Sequence, residues 1–159
     1  MNNERIKAFT ARVTQASRSE LTVILYEMIL AEIKEAREAF EKGDMKTFDK
    51  ELKLAQKYIT ELHATLNYSY AISYDLLSLY LYVNKRIIQA ILRRIPDTLD
   101  SAESVLNKLL VGFEGVRQTD NSGPVMRNTQ QLYAGLTYGK GYLNETFIDP
   151  SNKSRGFTA

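Results

Sequence analysis

At 159 residues, with 44% apolar and 25% charged side chains, the chain is sized and composed for one packed domain. Its 21 basic and 19 acidic residues leave a net charge of +2, too little to build a field that attracts nucleic acid or an anionic membrane. The absence of cysteine and the single histidine, His63, exclude disulfides, thiolate nucleophiles and Cys/His zinc sites, and leave imidazole acid–base chemistry resting on one residue.

The start, MNNERIKAF, lacks the charged-then-apolar run of a secretory signal, and no stretch approaches the roughly 18 uninterrupted apolar residues of a membrane span. The expectation is a cytoplasmic protein that neither inserts in a membrane nor binds nucleic acid.

Four amphipathic segments follow at helical period. The first opens on Ser17-Arg18-Ser19-Glu20, a capping box in which the Ser17 hydroxyl and the Glu20 carboxylate each satisfy an orphan amide, and it runs to about Lys42, before Gly43. The second starts from Asp44 as N-cap and reaches about Leu66, with Phe48, Leu52, Ala55, Ile59 and Leu62 in one narrow stripe. Asn67-Tyr68-Ser69-Tyr70 interrupts the pattern. The third helix then carries Ile72, Leu76, Leu79, Tyr80, Val83, Ile87 and Ile91 to about Arg94, where Ile95-Pro96 stops it and Asp97 is placed to cap the next. The fourth presents Leu99, Ala102, Leu106, Leu109, Phe113 and Val116 on one face.

Helices of roughly 20 residues joined by short connections favour antiparallel neighbours. The predicted fold is all-α: an antiparallel up-down four-helix bundle over residues 1–117, with an N-terminal segment and an irregular C-terminal tail over 118–159. That tail holds five of the eight glycines and two of the three prolines, yet also Leu132, Tyr133, Leu136, Tyr138, Tyr142, Leu143 and Phe147. Such apolar content argues against a fully solvated linker.

Two helices carry more apolar residues than one face uses. At 100° per residue, Leu21, Ile24, Leu25, Met28 and Ile29 span about 140°, enough for a core face, while Val23, Tyr26 and Leu30 fall opposite. The third helix adds a second stripe, Leu77, Leu81, Ile88 and Leu92. These stripes are either wide core contacts covered within the chain or a docking surface for a partner segment.

Enzyme readings find no support. His63 follows Glu61 by two positions, so the Glu-x-x-His pattern of di-iron bundles is absent, and no catalytic, cofactor or metal residue is assigned. Lys85-Arg86 and Arg93-Arg94 read as a solvated helix flank, and the tyrosines Tyr68, Tyr70, Tyr74, Tyr80 and Tyr82 lack the basic groove that base stacking requires.

Ser19-Glu20-Leu21-Thr22-Val23-Ile24-Leu25-Tyr26-Glu27 resembles the SPEELxxMLYE segment that opens the first long helix of the flagellin-specific export chaperones, the FliS family. In the same order, Ile6-Lys7-Ala8-Phe9 resembles the Ile-Lys-Ala-Tyr before that helix, residues 62–67 match the leucine-rich end of the next, and residues 76–86 resemble NLxxLYDYMxRR. The likeness covers roughly residues 5–117. It implies a cytoplasmic chaperone that binds the disordered C-terminal segment of flagellin, blocks premature polymerisation and hands the subunit to a component of the flagellar export gate.

The same resemblance implies Ile6 and Phe9 as a displaceable lid over the binding surface; an ordinary N-terminal staple onto the core is the plainer alternative. Phe9 replaces the family's usual tyrosine and so lacks its hydroxyl. The chain also has no tryptophan, reading Phe113-Glu114-Gly115-Val116 where the family commonly carries one, and its 42-residue tail is longer than the family's short end. That tail is open to use as an autoinhibitory arm, a second partner site or a homodimer arm. The competing functional class is a structural or regulatory bundle that oligomerises by exchanging it.

Overall fold

The computed structural model describes residues 3–125, and every regular element among them is helical: α1 (Asn3–Gln15), α2 (Arg18–Glu41), α3 (Met45–Thr65), α4 (Ile72–Arg93) and α5 (Leu99–Arg117). The helix α1 stands where the sequence suggested only a segment.

Local chemistry sets the helix ends. Ser17 is extended and its Oγ accepts from the Glu20 amide at 3.3 Å, so half of the expected capping box forms. The Glu20 carboxylate is directed elsewhere, 3.7 Å from Arg117 on α5. At the other end of α2 the chain turns through Gly43, whose φ of +73° suits a residue without Cβ, and Asp44 caps α3 by accepting from the Thr47 amide at 3.0 Å.

Between α3 and α4 the Asn67 side chain accepts from the Ser69 amide at 3.0 Å, and the Ser73 hydroxyl donates to the Asn67 carbonyl at 2.6 Å. The end of α4 is unusual: Arg94 takes the left-handed conformation, φ 57°, with its amide directed to the Ala90 and Ile91 carbonyls. Asp97 does not cap α5 as expected. It pairs with Arg93 at 2.8 Å, while Thr98 occupies the cap position and donates its hydroxyl to the Arg86 carbonyl at 2.7 Å.

The helix α2 packs against α3 and α5, α4 packs against the same two, and α1 lies on α2. Specific pairs stitch these interfaces. Arg37 near the end of α2 binds Asp100 and Glu103 near the start of α5, Phe40 meets Phe48, Gln56 binds Asn84 at 3.1 Å, and His63 stacks on Tyr80 with ring centres 6.0 Å apart. The core between the helices is built from Phe48, Leu52, Ile59 and Leu62 of α3, Tyr80, Val83 and Ile87 of α4, and Leu99 and Leu106 of α5, with one full face of α2. Burying each such side chain stabilises the fold by about 1.5–3 kcal/mol.

Residues 118–125 return to the α1–α2 junction. The Asp120 carboxylate accepts from the Ser19 amide at 3.2 Å and from the Ser19 hydroxyl, and the Val125 amide donates to the Ala16 carbonyl at 3.0 Å. Hydrogen bonds from Ser122 and Ser19 hold the Asp120 carboxyl well below the usual carboxylate range. The aromatic stretch expected over residues 132–147 lies outside the described residues.

Candidate docking surface

On α2 the division expected from periodicity is corrected by the neighbours. Val23 and Tyr26, assigned to an outer face, are completely buried, Leu30 is half-buried against the core, and Leu21, assigned to the core, is only half-buried. The first half of α2 is apolar on more than one face because α2 has three neighbours, α1, α3 and α5.

Tyr26 points toward α4 and α5. Its ring lies edge-on to Phe113 at 5.6 Å and to Tyr80 at 6.1 Å, and the two tyrosine hydroxyls share a hydrogen bond of 2.6 Å. Burial drives the Tyr26 hydroxyl far above its ordinary pKa and pushes Tyr80 to about 12, so both remain protonated hydrogen-bonding groups at neutral pH. Phe113 stands in the segment where a tryptophan was noted as missing, and it supplies an aromatic contact there.

Val23 lies on the other side, on the stripe that continues through Glu27, Ala31 and Glu35 at intervals of four. Arg12 of α1 pairs with Glu27 and Arg5 with Glu35, so α1 runs over this stripe. Phe9 packs partly buried against the core, Ile6 is half-buried one turn earlier, and Val13 and Ala16 are buried near the junction. The ion pairs are half-exposed and each contributes about 0.2–1 kcal/mol, so α1 is held by a thin apolar seam with charges at its edges.

The face of α4 is different. Leu76, Tyr80, Val83, Ile87 and Ala90 point inward, and Leu77 is half-buried. Leu81 is 52% exposed, Ile88 38% and Leu92 76%, and nothing among the described residues covers them. Ile72 and Leu79, expected in the core arc, are also exposed, because among the described residues α4 meets only α3 and α5 and its inward arc is narrower than the periodicity suggests. Val116, expected on the α5 core face, is exposed as well, while Leu109 and Phe113 are half-buried. Tyr74 and Tyr82 extend the α4 surface, with the Tyr68 ring against Tyr74 at 5.4 Å.

Among the charged groups, Arg86 is not the solvated flank residue expected from sequence. It donates to Ser101 at 2.7 Å and to Gln89 at 3.0 Å, tying α4 to α5. Lys85 is exposed and lies within the Leu81, Ile88, Leu92 stripe, a position that the reading of Lys85-Arg86 as a pair obscured.

One acidic pair is interior. Glu32 of α2 is fully buried beside Glu51 of α3; burial first, and the neighbouring carboxyl second, push Glu32 up to about 8. For Glu51, burial is outweighed by hydrogen bonding to Glu32 and to Lys50, 2.9 Å away, and its pKa lies below the ordinary value. Both side chains are buried, so the pair belongs to the interior between α2 and α3 rather than to an open site. Among the described residues no group of three or more His, Cys, Asp or Glu side chains is arranged to hold a metal ion, and no helix is long and apolar enough to cross a membrane.

Residues 1–120 match the model of a family described as flagellar protein FliS. The chain is also similar to the flagellar secretion chaperone FliS of Bacillus subtilis (strain 168), with 37% identity over 78 residues, covering 49% of this chain and 59% of that relative's length.

Proposed function

The chain belongs to the FliS family of flagellar proteins, and from that membership we propose that it is a flagellar secretion chaperone acting in the cytoplasm on flagellin. It binds the disordered C-terminal segment of flagellin, prevents premature polymerisation and delivers the subunit to a component of the type III export gate. No catalysis and no cofactor enter this reading.

The observation that carries it is the exposed apolar stripe Leu81, Ile88 and Leu92 on α4, flanked by Leu77 and the tyrosines. Coupled folding and binding of a disordered segment typically buries on the order of 1,000–3,000 Å² and spends about 2–5 kcal/mol on ordering, so the client requires a long apolar track. The α4 stripe gives one stretch of it. Displacing α1, with Ile6 and Phe9 as the lid, adds the α2 stripe that includes Val23; Tyr26 and Leu30 then serve chiefly to shape the core beneath.

We read the scaffold as an antiparallel up-down bundle of α2–α5 over residues 1–117, with 118–159 as the tail. The pairing of Arg37 with Asp100 and Glu103 at one end, and of Glu20 with Arg117 at the other, supports opposite directions for α2 and α5. Titration calorimetry of the full chain with a peptide from the C-terminal segment of flagellin tests the function. Saturable one-to-one binding accompanied by a gain of helicity is expected; no heat and no helicity change at millimolar peptide would refute the proposal.

A further inference from the structure

Leu81, Lys85, Ile88 and Leu92 recur at intervals of four, three and four, which puts them in one line along α4, and all four are exposed. The Lys85 ammonium has no ion-pair partner among the described residues. A cation set between leucines and an isoleucine selects a ligand that offers an acid between two apolar groups. By the helix rise, Leu81 lies about 6 Å from Lys85 along the axis, and Ile88 and Leu92 lie about 4.5 and 10.5 Å beyond it.

The chain itself contains such a ligand. Residues 143–147 read Leu-Asn-Glu-Thr-Phe, and Glu145 and Asp149 are the only acids in 126–159. In an extended segment Leu143, Glu145 and Phe147 face one side at steps of about 6.6–6.8 Å. With Glu145 on Lys85, Leu143 meets Leu81 and Phe147 falls between Ile88 and Leu92.

The tether allows it. The chain past α5 is fixed at Val125 by its bond to Ala16, and Glu145 follows 20 residues later. That length reaches up to about 66–72 Å, against about 33 Å for the whole of α4. A tethered segment meets its site at an effective concentration on the order of mM.

We propose that the α4 stripe is the docking site of this chain's own residues 143–147, bound in extended form with Glu145 paired to Lys85. Resting on the function proposed above, the segment then occupies the client track when flagellin is absent, and the client must displace it.

Because the chain has no cysteine, Asn144→Cys carries a nitroxide at one defined place, on the side of the extended segment away from Lys85. In the full chain with labelled methyl groups, the Leu81, Ile88 and Leu92 signals lose most of their intensity relative to the reduced label. Adding Lys85→Glu restores them, and combining Lys85→Glu with Glu145→Lys brings the loss back. Methyls at full intensity from the start, a loss that survives Lys85→Glu, or no recovery in the charge-swapped pair would each overturn the docking. So would a loss seen only when label and labelled methyls are on different chains, which assigns the site to a second copy. None of these measurements needs flagellin, so a flagellin peptide that fails to bind sinks the chaperone reading alone. Flagellin peptide added to the spin-labelled chain restores the signals; peptide that binds while they stay suppressed refutes the competition.

Discussion

Replacing Tyr26 by Phe keeps the ring against Phe113 and removes one of two hydroxyls that hydrogen-bond at 2.6 Å in a site where both residues are at most 1% exposed. The remaining Tyr80 hydroxyl is then buried without its partner, which costs about 1–3 kcal/mol. With a urea m-value of about 2 kcal/mol per M, a loss of about 2 kcal/mol lowers the unfolding midpoint by about 1 M. Tyr80→Phe has the same effect from the other side. The double variant leaves no orphan and no polar group to desolvate, so it should unfold later than either single variant, with an interaction energy of about 1–3 kcal/mol. The assay is urea unfolding of the four proteins followed by circular dichroism at pH 7. Two single variants that are each neutral, or a double whose loss equals the sum of the singles, would refute the argument that the hydroxyls satisfy each other in the core. Flagellin binding by folded Tyr26→Phe should be unchanged, because this side chain is interior.

Three further outcomes are expected. Changing Leu81, Ile88 and Leu92 to Ser should weaken flagellin-peptide binding at least tenfold in calorimetry while shifting stability by about 0.5 kcal/mol at Leu81 and Leu92 and by about 1–2 kcal/mol at Ile88, which is 38% exposed; a variant that binds normally places the track elsewhere. The pKa of Glu32 rises from an ordinary 4.5 to about 8, so across that window the folded chain holds a proton the unfolded chain has released, and stability falls as pH rises. Thermal unfolding from pH 5 to 8 should show that decline and Glu32→Gln should flatten it; a wild-type stability that climbs over the window contradicts the buried-acid account. Arg94→Gly should stabilise the fold by about 1 kcal/mol in the same urea assay, because φ 57° strains any residue with a Cβ, and a loss would mean that the arginine side chain offsets the strain.

Much of the architecture was legible in local pattern. Ser17 and Asp44 cap the helices they were expected to cap, Gly43 turns the chain between them, and the α3 stripe Phe48, Leu52, Ala55, Ile59 and Leu62 is buried throughout. These depend on interactions within a few residues or on a single apolar face, which periodicity records directly. The α4 residues Leu81, Ile88 and Leu92 were also separated from the core by angle alone, and they are exposed.

What the sequence by itself determined was therefore the approximate extent of α2, α3, α4 and α5 and which of them carry surplus apolar residues; it did not show α1 as a helix or Thr98 as the cap of α5. Only the tertiary structure decided what the surplus faces. On α2, Val23 and Tyr26 are buried where α1 runs over one side and Tyr80 and Phe113 meet the other, whereas among the described residues α4 is packed by α3 and α5 alone and its second stripe is exposed. Helical period fixes the angle between two residues on one helix, but the side on which another helix arrives depends on contacts between segments far apart in the chain, and no local spacing encodes them.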